Sequence, residues 1–204
     1  MTRLYRLDAP AADVAAAFRA DAGGDPWPGG YVAPGRPAPI VVGDGKPEGR
    51  RRLRPMFWGV PPPPRGDRPV TSVRNLDSPF WIGTLRHAEL RCLIPATSFA
   101  AWSGPEGAKT QHWFSLAGPP IFAFAGIVRF ADEIPHFAML ATDPNRLVAH
   151  HHPGAMPVIL LGRGARTLAR RRLEGRARAR RALPRPGDEG VGRAAARRHV
   201  VTGW

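Results

Sequence analysis

Two apolar stretches decide the fold: His152-Pro153-Gly154-Ala155-Met156-Pro157-Val158-Ile159-Leu160 and, earlier in the chain, Arg91-Cys92-Leu93-Ile94-Pro95-Ala96. Each contains a short run of aliphatic residues between polar or proline positions, a pattern typical of a buried strand. In the later stretch a histidine stands immediately before the run. The sequence therefore predicts two core strands, one of which begins beside His152.

Outward from these stretches, short aliphatic or aromatic segments alternate with Gly and Pro. They predict strands over residues 4–7, 40–42, 53–60, 91–94, 97–102, 112–116, 121–129, 136–142 and 156–161. Residues 11–20, with Asp8 as the candidate N-cap and Pro10 in the first turn, predict a helix. A second helix is expected over 78–87 and a helical turn over 144–150. The predicted fold is α+β, with a curved, mostly antiparallel β-sheet core and a few short flanking helices.

Composition limits the class of protein. The chain has 204 residues, of which 43% are hydrophobic, enough for one sizeable core and too few for two domains to be expected. Charged residues interrupt the first twenty positions, and no long apolar run follows. We expect no membrane span and no signal peptide, and a cytoplasmic location. The single cysteine, Cys92, cannot form an internal disulfide, and its apolar surroundings predict a buried, inert thiol.

The charge is unevenly distributed. The net charge is +14, but residues 1–161 account for +4 and residues 162–204 for +10. The sequence thus predicts a domain over 1–161 followed by an Arg-rich tail over 162–204. The tail is expected to be disordered or to be an out-of-frame reading of the gene. The second interpretation arises because GC-rich codons encode Arg, Ala, Gly and Pro in any reading frame. The alternative is a basic arm that contacts phosphates.

Several short blocks, in order, carry a family resemblance over about residues 1–161. The blocks are Met1-Thr2-Arg3-Leu4-Tyr5, Gly30-Tyr31-Val32-Ala33-Pro34, Phe57-Trp58-Gly59-Val60-Pro61, Ser72-Val73-Arg74-Asn75, Phe122-Ala123-Phe124-Ala125-Gly126-Ile127 and Thr142-Asp143-Pro144-Asn145. With these blocks and the two opening stretches, the chain resembles the SOS response-associated peptidase family, whose members process abasic sites in single-stranded DNA.

The resemblance implies a set of catalytic positions. In the family an N-terminal cysteine exposed by loss of the first methionine closes on the abasic aldehyde as a thiazolidine. An Asn holds that cysteine, a Glu serves as acid or base, and a His moves protons. Carried over by motif, these positions are Thr2, Ser72, Ala101 and His152, so only His152 matches.

The resemblance also implies a DNA-contacting set: Arg74, Trp58 and Asn75. Each candidate has a structural alternative. Arg74 could be a solvated surface charge, Trp58 a core aromatic, and His152 a polar residue with satisfied hydrogen bonds. The run from His150 to His152 could suggest a metal, but consecutive residues of a strand cannot converge on one ion. No metal and no cofactor are expected.

Thr2 limits the chemistry that the resemblance implies. Its small side chain permits removal of Met1, and the freed amine can form a Schiff base, but a hydroxyl closes only a labile oxazolidine. We therefore expect a monomeric protein of the DNA damage response that binds single-stranded or junction DNA with abasic sites and is impaired in crosslinking and autoproteolysis. The alternatives are a residual abasic-site lyase that uses the Thr2 amine, and a decayed copy without function.

Overall fold

The computed structural model describes residues 2–43, 49–64, 66–160 and 198–201. Three short helices lie in this part of the chain: α1 (Ala11–Phe18), α2 (Pro79–Arg86) and α3 (Arg146–His151). The strands are β1 (Tyr5–Leu7), β2 (Ala20–Asp21), β3 (Gly30–Val32), β4 (Pro37–Gly43), β5 (Arg51–Trp58), β6 (Ser72–Val73), β7 (Arg91–Ala96), β8 (Ser98–Ser103), β9 (Thr110–Leu116), β10 (Phe122–Ala131), β11 (Ile134–Thr142), β12 (Met156–Pro157), β13 (Ile159–Leu160) and β14 (Arg198–Val201).

Within the described residues, five strands close into a barrel. The path β11-β10-β7-β4-β5 is antiparallel at every step. The parallel pairing of β5 with β11, through Phe57 with His136 and Trp58 with Phe137, joins its two ends. Four short strands pair with members of this path without belonging to the closed ring: β2, β6, β12 and β13. The prediction of a curved, mostly antiparallel sheet with a few short helices is confirmed.

A second sheet packs against the barrel in the order β14-β9-β8-β1-β3. Aromatic rings fill the space between the two sheets. Tyr5 of β1 lies 5.4 Å from Trp58 and 5.8 Å from Phe124, measured between ring centroids, and Phe99 of β8 lies 5.3 Å from Phe114 and 5.8 Å from Phe124. The amino-terminal strand is therefore anchored in the core.

Two elements differ from the sequence-based prediction. Helix α1 has Pro10 as its N-cap with no side-chain cap, because the Asp8 carboxylate pairs with Arg6 at 2.9 Å instead. The strand expected over 156–161 is split at Val158. Strand β12 pairs with β11 and β13 pairs with β10, so the chain passes from one neighbour to the other at that residue.

The expectation for the tail falls mostly outside the described residues, which omit 161–197 and 202–204. The four described tail residues, Arg198–Val201, form β14, which runs parallel to β9 with Arg198 in register with Trp113. The disordered or out-of-frame tail over 162–204 stays a prediction. In the described part of the chain, no helix has the length and apolar character needed to cross a membrane.

Candidate functional site

His152 lies where α3 ends. The Asn145 side chain caps the start of this helix by accepting from the Val148 N–H at 2.9 Å, and the His152 N–H donates to the Val148 carbonyl at 2.7 Å. The imidazole forms a hydrogen bond with the Trp102 backbone. Its Nε2 lies 3.4 Å from the position that a Cβ on Gly154 would occupy, so the ring folds back over this glycine.

The surroundings of His152 favour the neutral imidazole. Burial lowers its pKa, and the positive charges of the amino terminus and of Lys109 act in the same direction, while the hydrogen bond to the Trp102 backbone raises it. A neutral imidazole can accept a proton.

The amino-terminal segment runs toward the same place. Strand β1 pairs antiparallel with β8 through Tyr5 with Phe99 and Arg6 with Ser98. The Ala100 N–H extends this ladder by donating to the Leu4 carbonyl at 2.9 Å. Continuing that register brings Thr2 level with Trp102. Thr2 is only 2% exposed, so the segment ends in a buried position near the backbone that holds His152.

Arg74 joins the His152 segment to the end of β11. It follows β6, which runs parallel to β11 with Ser72 opposite Met139. Its Nη1 donates to the Gly154 carbonyl at 2.8 Å and its Nη2 pairs with the Asp143 carboxylate at 2.5 Å. Within the described residues these contacts use two of the five guanidinium N–H donors, and the side chain is 60% exposed.

Ala101 offers no acid or base. It is buried in β8 directly opposite His112 of β9. The His112 ring stacks on His151 with centroids 3.9 Å apart, and its Nε2 lies 2.8 Å from the Ser103 Oγ. Imidazole rings thus occupy the space beside Ala101.

The sequence analysis did not single out His112. A signal was available: His112 stands two residues before Phe114 in a strand, and hence on the face that points to the core. Buried polar groups need hydrogen-bond partners, so a polar side chain at a core-facing position indicates that some of its neighbours are also polar.

The remaining candidates take different positions. Ser72 is half-buried in β6, and the exposed Asn75 accepts from the Asp77 N–H at 3.1 Å, which closes a local turn. Trp58 is 1% exposed and packs between Tyr5 and Phe137. Its Nε1 donates to the Thr71 carbonyl at 3.0 Å. Trp58 is thus a core aromatic in this structure, and its role in DNA contact stays a prediction.

Two further findings limit the chemistry. In the described ranges, no three His, Cys, Asp or Glu side chains are arranged to hold a metal ion. Cys92 is buried in β7, and burial raises the pKa of its thiol strongly, so the nucleophilic thiolate is disfavoured.

The fold is similar to that of solved structures. A protein from Bordetella bronchiseptica superposes with a TM-score of 0.66 at 18% identity, covering 90% of this chain and 94% of its own. A protein from Bacteroides thetaiotaomicron gives a TM-score of 0.64 at 18% identity, covering 81% and 80%. A phage-related protein from B. bronchiseptica gives 0.60 at 19% identity, covering 82% and 81%. At these identities the likeness concerns the fold alone.

Sequence comparison identifies the family. No curated protein matches the chain. The family model described as SOS response associated peptidase (SRAP) matches residues 1–189, a range that continues past residue 161. By that description the family acts in the response to DNA damage. The chain therefore belongs to the SOS response associated peptidase family and is, with it, a protein of the DNA-damage-associated SOS response.

Proposed function

We propose that this chain binds single-stranded DNA carrying abasic sites through the region around Arg74 and His152, and that it does not form the stable covalent crosslink. One observation carries the proposal: Arg74 is exposed and bonded to the Gly154 carbonyl, next to the ring of His152. A phosphate held by the open guanidinium donors would bring an adjacent sugar close to that imidazole.

Asp143 limits the strength of the contact between Arg74 and a phosphate. Its carboxylate offsets the charge of Arg74 and orients the guanidinium. A phosphate therefore competes with Asp143, and the resulting affinity is modest and falls with salt. The same pairing keeps Arg74 aligned with the His152 segment before DNA arrives.

Stable crosslinking needs groups that this site lacks. The Thr2 hydroxyl is a poor nucleophile without a neighbouring base, and Ala101 supplies none. Thr2 is also nearly fully buried, so its side chain is poorly placed for ring closure on a bulky sugar. The register of β1 on β8 brings Thr2 level with Trp102, whose backbone bonds His152, so a freed Thr2 amine and this imidazole would form a set suited to a reversible Schiff base.

A second candidate function follows from that set. With Met1 removed, the Thr2 amine would attack the abasic aldehyde, and neutral His152 would accept a proton. Elimination of the 3′ phosphate would then cleave the strand, and hydrolysis would release the protein. The lowered pKa of His152 and the register that brings Thr2 level with Trp102 favour this residual lyase.

One experiment separates these functions. The full chain is incubated with single-stranded DNA carrying one abasic site, with and without borohydride. We expect noncovalent binding and no adduct that survives denaturation in the absence of borohydride. If the chain has no lyase activity, borohydride should produce no such adduct either. A borohydride-dependent adduct together with strand cleavage would establish the lyase, and a stable adduct without borohydride would overturn impaired crosslinking.

Arg74 provides the test of binding. Arg74→Ala should weaken binding strongly, whereas Arg74→Lys should retain part of it, because a lysine keeps the charge and loses the fork geometry. If Arg74→Ala bound DNA with wild-type affinity, the proposed binding region around Arg74 and His152 would be refuted. Absence of any binding by the wild-type chain would favour a decayed copy.

A further inference from the structure

The outer face of the second sheet carries a stack of one exposed and two half-buried side chains. Tyr31 of β3 is 58% exposed, and the guanidinium of Arg6 lies 4.7 Å above its ring. The ring of Trp113, from β9, lies 5.8 Å from that of Tyr31. We name Arg6, Tyr31 and Trp113 the aromatic platform.

The platform bridges two intervening strands. Tyr31 is opposite Arg6 and Arg6 is opposite Ser98, while Trp113 is opposite Ala100. Side chains paired across a sheet share a face, and β8 turns Phe99 to the core, so Ser98 and Ala100 lie on the outer face. Their small side chains let the two rings lean toward each other across β1 and β8. Ala100 is 0% exposed although it faces away from the core, as expected beneath such a cover.

The platform adjoins the proposed site. Ala100 and Trp102 are two residues apart on the same face of β8, a separation of about 7 Å. The Trp102 backbone is the group that holds His152. A chain bound at Arg74 and His152 that continues along β8 would therefore meet Tyr31 and Trp113.

We propose that the aromatic platform is a stacking site for unpaired bases of single-stranded DNA that flank the nucleotide held near Arg74 and His152. This inference rests on the proposed function and names a subsite of it. Flat aromatic rings with an adjoining guanidinium accept the faces of any base without reading its sequence. The occupant is a polyanionic strand because the platform holds the Arg6 guanidinium over the Tyr31 ring and residues 1–161 carry a net charge of +4.

The expected effect is set by stacking strength. Base stacking on an aromatic ring corresponds to about 5-fold to 100-fold in affinity for each ring removed. Tyr31→Leu keeps an apolar cover over Ala100 and removes the flat ring, so it should weaken binding of oligothymidine within that range. Tyr31→Phe should bind as the wild type does. Trp113→Leu should behave as Tyr31→Leu does.

Phe130 provides a matched control. It is an exposed aromatic ring on β10 with the Arg54 guanidinium 5.3 Å from its centroid, so it reproduces the arginine-aromatic pair on the barrel. Phe130→Leu should leave DNA affinity unchanged. Circular dichroism and thermal melting on all variants separate a binding defect from a folding defect.

The measurement is fluorescence anisotropy at fixed salt with two ligands of equal length, oligothymidine and a strand made only of abasic sugar-phosphate units. The proposal requires that Tyr31→Leu weakens oligothymidine binding. The slope of log affinity against log salt should stay unchanged, because the tyrosine ring neutralises no phosphate. Binding of the abasic strand should not change.

Three outcomes would contradict the proposal that the aromatic platform stacks bases. The first is wild-type affinity for oligothymidine in folded Tyr31→Leu while Arg74→Ala binds it more weakly, which leaves the proposed function standing. The second is equal weakening for the abasic strand, which would indicate that Tyr31 binds the sugar-phosphate backbone. The third is a wild-type chain that binds neither strand, in which case the proposed function falls as well.

Discussion

Thr2 is the residue that most alters the chemistry expected of this family, and we expect that changing it alone is insufficient to restore that chemistry. We expect Thr2→Cys to restore little crosslinking to abasic single-stranded DNA. The new thiol would be buried, and Ala101 would still supply no acid or base. Denaturing gel electrophoresis without borohydride measures the adduct. Full crosslinking by this single variant would show that the missing carboxylate is unnecessary.

The packing around Ala101 extends this prediction. Ala101→Glu would place a carboxylate opposite His112, whose ring stacks on His151. The triple variant Thr2→Cys, Ala101→Glu, His112→Ala should therefore crosslink more than Thr2→Cys, Ala101→Glu, since the smaller alanine opens space for the new side chain. Equal crosslinking by the two variants would mean that His112 does not limit the site.

His152 should make stability depend on pH. Its pKa is lowered in the folded protein, mainly by burial, so the unfolded chain binds more protons in the window below the ordinary value of 6.5. The contribution of the neutral imidazole to the free energy of unfolding is fully present above pH 6.5 and is lost as the pH falls toward the pKa of the folded state. We expect urea unfolding to show a shallower loss of stability between about pH 7 and 5 in His152→Gln than in wild type. Identical slopes would contradict this assignment.

At the scale of elements, two glycines distinguish tight packing from open surface. A Cβ on Gly126 of β10 would lie 2.6 Å from Ile94 Cδ1 and 2.9 Å from Cys92 Sγ, both on β7. Gly126→Ala should therefore lower the free energy of unfolding by about 1–3 kcal/mol. Gly83 lies inside α2 with open space around it, so Gly83→Ala should raise it by about 0.5–1 kcal/mol.

Chemical denaturation of both variants measures these changes. The opposite signs serve as each other's control, since both variants add the same methyl group. A destabilised Gly83→Ala would indicate that α2 packs against more of the chain than the described residues. An unchanged Gly126→Ala would mean that β7 and β10 can separate at little cost.

At the scale of the whole molecule, the tail arginines should steepen the salt dependence of DNA binding. Deleting the tail would also remove β14 from the edge of β9, so neutral replacement is the cleaner change. Replacing Arg170, Arg171, Arg172 and Arg178 with Gln should reduce the slope of log affinity against log salt by about 0.7 for each phosphate that is no longer neutralised. Anisotropy titrations over a series of salt concentrations measure this slope. An unchanged slope would favour the hypothesis of an out-of-frame tail.

Much of the fold could be predicted because its elements are encoded locally. Alternation of apolar and polar residues, punctuated by Gly and Pro, places nearly every strand of the barrel within a few residues of its observed bounds. The order of short blocks identifies the family. His152 and Arg74 stand out for the same reason: their neighbours in sequence carry the motif.

Tertiary structure alone decides which elements meet. The parallel pairing of Phe57 with His136 closes the barrel, and no local pattern marks two such distant segments as partners. Trp58 is buried because that closure covers it, and His112 meets His151 because α3 packs on β8 and β9. Tyr31 reaches Trp113 across two strands only because Ser98 and Ala100 between them are small. Local sequence determines conformation, whereas neighbours in space depend on the packing of the whole chain.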